Sequence, residues 1–206
     1  IGYLRITQFS ESVPKKVEEA LQELKEKEVE GLILDLRNNS GGLVSSGIAV
    51  ADSLLSEKPV VETKNRNGIK DAIISQKETS FDGPMVTLVN KGTASASEIL
   101  AGSLQDNGRS ILMGEKTYGK GLIQSLKSLG EDSGIAITVA SYLTPKGNNI
   151  QGQGITPNKF LDLPDASEYG SADDKWVRNA ELYLGSLLEK EAEISLETSE
   201  SINHEI

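Results

Sequence analysis

Two apolar runs constrain this fold more than any other feature. Gly31-Leu32-Ile33-Leu34-Asp35-Leu36 passes through the loop Arg37-Asn38-Asn39-Ser40-Gly41-Gly42 into a helical stretch from about Leu43 to Leu55. Met85-Val86-Thr87-Leu88-Val89-Asn90 passes through Lys91-Gly92-Thr93-Ala94 into a second, from about Ala96 to Asp106. Asn107-Gly108 supplies a left-handed stop, and Ile111-Leu112-Met113 follows as another strand. Short apolar strands alternating with helices predict an α/β fold with a mostly parallel sheet flanked by helices.

The flanking segments fill out this plan. Ile1 to Ile6 reads as a strand, and Val13, Val17, Leu21 and Leu24 mark a helix from about Val13 to Glu28, with Pro14 in its first turn. Pro59 to Thr63 and Ile69 to Ser75 form an expected hairpin around Arg66-Asn67-Gly68. Additional strands are expected at Leu122–Leu129 and Gly134–Leu143, then a Pro/Gly-punctuated stretch from Pro145 to Pro164. Trp176, Ala180, Tyr183, Leu184 and Leu187 share one face of an expected core-packing helix from Asp173 to Lys190. Glu191 to Ile206 reads as a frayed, solvated end. The expected division is a core over 1–163 and, over 164–206, a C-terminal helix and acidic tail packed on or trailing from it. The chain opens on a strand without an initiator Met, and so reads as a piece of something longer.

Composition narrows the chemistry. The formal charge is 21 − 31 = −10 with no basic block, which argues against nucleic acid or an anionic membrane as partner. No apolar run approaches the roughly 20 residues of a membrane span. Without cysteine there are no disulfides, thiolate zinc sites or cysteine nucleophiles. The single histidine, His204, lies near the end in an acidic tail, so a Ser-His-Asp triad or a two-histidine zinc site is excluded. A hydrolase built on this chain takes its base from a lysine or a carboxylate.

Three stretches can carry such chemistry. Ser95-x-x-Glu98, between a strand and a helix, has the spacing of a capping box. The same geometry places the Ser95 hydroxyl beside helix N–H groups able to hold an oxyanion, so the two readings are not separable by sequence. Gly114-Glu115-Lys116-Thr117-Tyr118-Gly119-Lys120-Gly121 sets Lys120 between two glycines. Tight backbone packing there would desolvate the amine and make it a credible base; otherwise it is a solvated loop lysine. Asn38-Asn39-Ser40-Gly41-Gly42 is either a tight turn or a loop of bare amides aimed at a carbonyl oxygen; the Walker pattern is absent.

Together Asp35–Gly42, Gly92–Ile99 and Gly114–Gly121, with Gln124 four residues beyond Lys120, resemble the carboxyl-terminal processing proteases, the tail-specific serine proteases. The resemblance extends over most of the chain. It implies a core akin to the crotonase and caseinolytic-protease folds, with Ser95 as nucleophile, Lys120 as base and Gln124 orienting the lysine. It makes the amides of Gly41 and Ala96 the oxyanion hole and Asp35, Arg37 and Glu98 supporting residues, with Asp106 a weaker candidate. It implies no metal or cofactor. Substrates would be proteins with extended C-terminal tails, met in the cell envelope or thylakoid lumen. The family's PDZ domain and N-terminal helical region are missing here, and Ser40 stands where the family often has Pro. Two rivals are a truncated domain that binds peptides without cutting and a crotonase-like acyl-CoA enzyme. The latter would not need Ser95, and its coenzyme phosphates would sit poorly on a chain this acidic.

Overall fold

The apolar runs form the middle of a parallel sheet. In this computed structural model the described residues are all but 69, 77, 131–132, 163–168 and 204–206, with backbone alone at 70, 126, 191 and 195–203. His204 and the expected 163/164 boundary lie outside them. In chain order the elements are β1 (Gly2–Arg5), α1 (Val13–Glu26), β2 (Leu32–Asp35), α2 (Val44–Leu54), β3 (Pro59–Asn65), β4 (Lys70–Ile74) and β5 (Met85–Val89). Then come α3 (Ala96–Asp106), β6 (Ile111–Gly114), β7 (Leu122–Gly130), β8 (Ser133–Leu143), β9 (Lys159–Phe160) and α4 (Lys175–Asn203).

One sheet has the order β1-β2-β5-β6-β9, all neighbours parallel, and a second, antiparallel sheet has the order β4-β3-β8-β7. Strands β2 and β5 are buried at every residue because both sheet faces are covered, which is why they read as unbroken apolar runs. Leu32 and Leu34 turn to the face under α1, α2 and α3, packing with Leu21, Val50, Leu100 and Leu104. Ile33, Val86, Leu88 and Met113 turn to the other face and pack on Trp176, Val177, Ala180 and Leu184 of α4. Burying one such aliphatic side chain contributes about 1.5–3 kcal/mol.

Two expectations change. Helix α4 runs to Asn203 instead of fraying after Lys190. Glu191 to Asn203 holds no Gly or Pro and is rich in good helix formers, which explains the continuation. Strand β9 lies inside the Pro/Gly-punctuated stretch and is two residues long, too short to show a period. No helix among the described residues is long and apolar enough to cross a membrane.

A buried ion cluster clamps α4 to the sheet. Asp174 caps the helix by accepting the N–H groups of Trp176 and Val177 at 3.1 and 3.3 Å. Arg37, fully buried, donates to both Asp174 oxygens at 3.1 and 2.6 Å and to both Asp35 oxygens at 2.9 and 2.6 Å. Its guanidinium lies 4.5 Å from the Tyr169 ring centroid. Burial raises the Asp174 carboxyl, but the Arg37 hydrogen bonds and charge, with N–H groups of Gly170 and Val177, outweigh it and hold the group below the ordinary range. Tyr3 donates to Asp35 at 2.7 Å; burial first, then that bond and the Asp35 charge, push its phenol well up.

Candidate active site

Neighbouring strands β2, β5 and β6 end on the same edge of the parallel sheet, so the loops that follow them meet there. These loops carry the three stretches that the sequence singled out. Ala94 N–H donates to Asn39 O at 3.0 Å, and Tyr118 N–H to Thr93 O at 3.0 Å, which stitches the three together.

Ser95 precedes α3 with φ 57° and ψ −119°. An ordinary N-cap residue sits in the β region, so this backbone is strained by about 1–3 kcal/mol and must be held by its surroundings. Asn39 O does part of this, accepting Ala94 N–H and the Ser97 hydroxyl, the latter at 2.9 Å. Glu98 does the rest, accepting Ser95 N–H at 2.9 Å in the capping-box arrangement. Glu98 N–H itself lies on the Ser95 carbonyl oxygen at 2.8 Å, and the Ser95 hydroxyl makes no cap hydrogen bond. Ala96 is fully buried at the head of α3, and its N–H has no protein acceptor among the described residues.

Gly41 adjoins this turn, as its expected role requires. With φ +100°, a Cβ added there would lie 2.8 Å from Ala94 O and Ser95 Cβ and 3.1 Å from Ala96 N. Its amide, however, donates to Asn39 Oδ1 at 2.9 Å. In this arrangement Ala96 offers a free N–H and Gly41 does not. The short Asn39 side chain folds back on the backbone two residues ahead, a turn habit of asparagine.

Lys120 is brought to the same edge by Glu98. This carboxylate is fully buried and accepts Lys120 N–H at 2.8 Å, Gly119 N–H at 2.7 Å and the Thr117 hydroxyl at 2.6 Å. On the other side, Gly121 N–H donates to Gln151 Oε1 and Gly152 N–H to Gly119 O, both at 2.9 Å. The glycines flanking Lys120 do permit close backbone packing: a Cβ on Gly121 would meet Gln151 N at 2.6 Å. The packing, though, is against the 150–154 backbone and not around the lysine stem. Lys120 therefore stays exposed, and the expected drying of its amine is not seen.

A cavity of about 670 Å³ opens beside the turn, with Ala94, Lys120 and Gln124 in its wall. No hydrogen bond joins the Ser95 hydroxyl, Lys120 Nζ and the Gln124 carboxamide in this arrangement; Gln124 is exposed on β7. Of the expected supporting residues, Glu98 sits in the site, whereas Asp35 and Arg37 do not touch it. Asp35 shares the sheet face of Ile33, two residues before it, so both belong to the clamp on α4. Asp106 accepts Lys146 N–H at 2.9 Å, away from Ser95. The sequence reading missed Thr117, Asn39 and Gln151 as positioning groups. Thr117 and Asn39 stand inside the quoted motifs, but Gln151 carries no local signal.

Known proteins share this arrangement of sequence. The signature of peptidase family S41 matches residues 1–159. A Synechocystis carboxyl-terminal-processing protease is 51% identical over 164 residues, covering 80% of this chain and 38% of that protein. A Bacillus subtilis carboxy-terminal processing protease is 37% identical over 183 residues, covering 88% of this chain and 39% of that protein. Among solved structures, a photosystem II D1 C-terminal processing protease superposes with TM-score 0.75 at 42% identity, covering 78% of this chain and 42% of that one. The chain thus spans about two-fifths of the length of these relatives.

Proposed function

This chain belongs to peptidase family S41, and on that premise we propose that it is the catalytic core of a serine endopeptidase that cuts near the C-terminus of protein substrates. The observation that carries the reading is the Ser95 backbone. A residue that only capped α3 would have no reason to sit at φ 57°, ψ −119°. Strain of this kind is held in place where a side chain must be presented.

In the proposed reaction an extended substrate segment lays its scissile carbonyl over Ser95. The Ser95 oxygen bonds to the carbonyl carbon while Lys120, as the free amine, takes the hydroxyl proton. Ala96 N–H, buried and unbonded, stabilises the oxyanion. The Gly41 amide joins it once released from Asn39. Lys120 then gives its proton to the leaving amine, and water, deprotonated by the same lysine, hydrolyses the acyl-enzyme. Substrates would be proteins with extended C-terminal tails, in line with relatives named for C-terminal processing, one of them chloroplastic; the cell envelope or the thylakoid lumen as place of action follows from the family resemblance.

One observation favours a second reading, a domain that binds extended peptides without cutting. Ser95 and Lys120 are not hydrogen-bonded to each other, and the Gly41 amide is engaged. Mass spectrometry of a loosely folded protein incubated with the parent, Ser95→Ala and Lys120→Ala decides. Cleavage by the parent alone, with all three folded by circular dichroism, supports the protease. Fragments that persist with Ser95→Ala would remove Ser95 as nucleophile.

A further inference from the structure

The cavity beside Ser95 has an electrostatic character opposite to that of the molecule. The chain carries a formal charge of −10. Yet the charged residues lining this cavity are Lys91 and Lys120, and no Asp or Glu among the described residues lines it. Glu98 lies beneath the Lys120 loop, fully buried, with both oxygens turned to N–H and hydroxyl donors. Neither lysine ammonium makes an ion pair or hydrogen bond among the described residues.

The two lysines differ in what the chemistry asks of them. Lys120 is the proposed base and acts as the free amine. Lys91 has no part in the bond-making steps, so it stands as an uncommitted cation four positions before Ser95. Its loop is fixed from behind: Gly92 N–H donates to Asn90 Oδ1 at 3.0 Å, and Thr93 N–H to Asn90 O at 2.8 Å. The same cavity is lined by Tyr118 and Leu122, apolar and exposed by 68% and 39%. A cation on a fixed loop, in a cavity that also offers apolar surface, suits a side chain or chain end that is apolar along its stem and anionic at its tip.

We infer that Lys91 is a specificity-determining residue that receives a substrate carboxylate, from an acidic side chain near the scissile bond or from the chain terminus. This rests on the proteolytic reading of the same site. Because Lys91 is solvated until substrate covers it, the preference should be modest, about two- to fivefold, and should shrink as salt is added.

The test uses four peptides of one sequence, with Glu or Gln beside the cleavage position and a free or amidated terminus. Their affinities are measured by fluorescence anisotropy on Ser95→Ala, with and without Lys91→Gln or Lys91→Glu; kcat/KM is measured on the matching Ser95 proteins. The inference expects tighter binding of the carboxylate peptides, lost in Lys91→Gln and reversed in Lys91→Glu, with melting temperatures unchanged. A difference between Glu and Gln assigns the carboxylate to a side chain, and one between free and amidated ends assigns it to the terminus. Equal affinities for all four, or a preference that survives Lys91→Glu, overturn the inference. If the Ser95 proteins cut nothing while binding still follows Lys91, the proteolytic reading fails and the carboxylate site stands.

Discussion

Ser95 and Lys120 are tied through a single atom: Glu98 Oε2 accepts the backbone N–H of Ser95 at 2.9 Å and that of Lys120 at 2.8 Å. The second oxygen, Oε1, takes Gly119 N–H and the Thr117 hydroxyl. Removing the carboxylate in Glu98→Ala strands four donors, three of them backbone amides. Orphaned buried groups cost about 1–3 kcal/mol each and do not add fully, so a loss of about 3 kcal/mol or more is expected in urea melts. Glu98→Gln should fall between. A Glu98→Ala protein within about 1 kcal/mol of the parent would show that Glu98 braces nothing.

The strain at Ser95 predicts an unusual ordering of variants. Glycine accepts φ 57°, ψ −119° at little cost, whereas alanine keeps the clash. Ser95→Gly should therefore melt above Ser95→Ala, by an amount worth about 1–3 kcal/mol, although both lose proteolysis. Equal melting temperatures would mean that the turn is relaxed.

Gly41→Ala introduces a Cβ 2.8 Å from both Ala94 O and Ser95 Cβ, at φ +100°. Since those atoms belong to the turn that carries Ser95, the proposed nucleophile, activity should fall by a larger factor than stability alone explains. Measuring kcat/KM at temperatures where the variant is fully folded separates the two. Parent-like kcat/KM there would contradict the packing.

Arg37 lies between the carboxylates of Asp35 and Asp174, all three buried. Arg37→Met leaves two uncompensated charges and should cost about 3–5 kcal/mol, whereas adding Asp35→Asn and Asp174→Asn, which remove both charges and keep an oxygen acceptor for Tyr3 and for the α4 cap, should recover most of that. Failure of the triple replacement to recover stability in denaturant melts would mean that the cluster's packing, and not its charge balance, holds α4.

The same cluster contributes at both ends of the stability–pH curve. Asp174 is held below the ordinary aspartate range, so its contribution is present above about pH 4 and is lost as pH falls through its folded value. Tyr3 is pushed up, so its contribution is present below about pH 10 and is lost as pH rises beyond that. Asp174→Asn should flatten the acid limb and Tyr3→Phe the alkaline limb, read as melting temperature against pH. A limb that stays steep in its own variant would assign that end to other groups.

Local pattern carried much of this protein. The β2 and β5 apolar runs, the α1 stripe from Val13 to Leu24, the Asn67-Gly68 hairpin turn and the Gly108 stop were legible because each depends on residues a few positions apart. The meeting of three loops at one sheet edge came from the strand order β2-β5-β6. Gln151, β9 and the far reach of α4 were not legible, since none of them announces itself through periodicity.

By itself the sequence determined most of the elements, the parallel sheet and the three polar stretches that follow its strands, because backbone sterics and burial act over a few residues. Tertiary structure decided where their polar groups point. Arg37 pairs with Asp174, 137 residues away, and leaves the site for the α4 clamp. Gly41 gives its amide to Asn39, and Lys120 stays in solvent although glycines flank it. A hydrogen-bonding group takes whichever acceptor the assembled fold brings within about 3 Å, and that competition is settled only when distant segments meet.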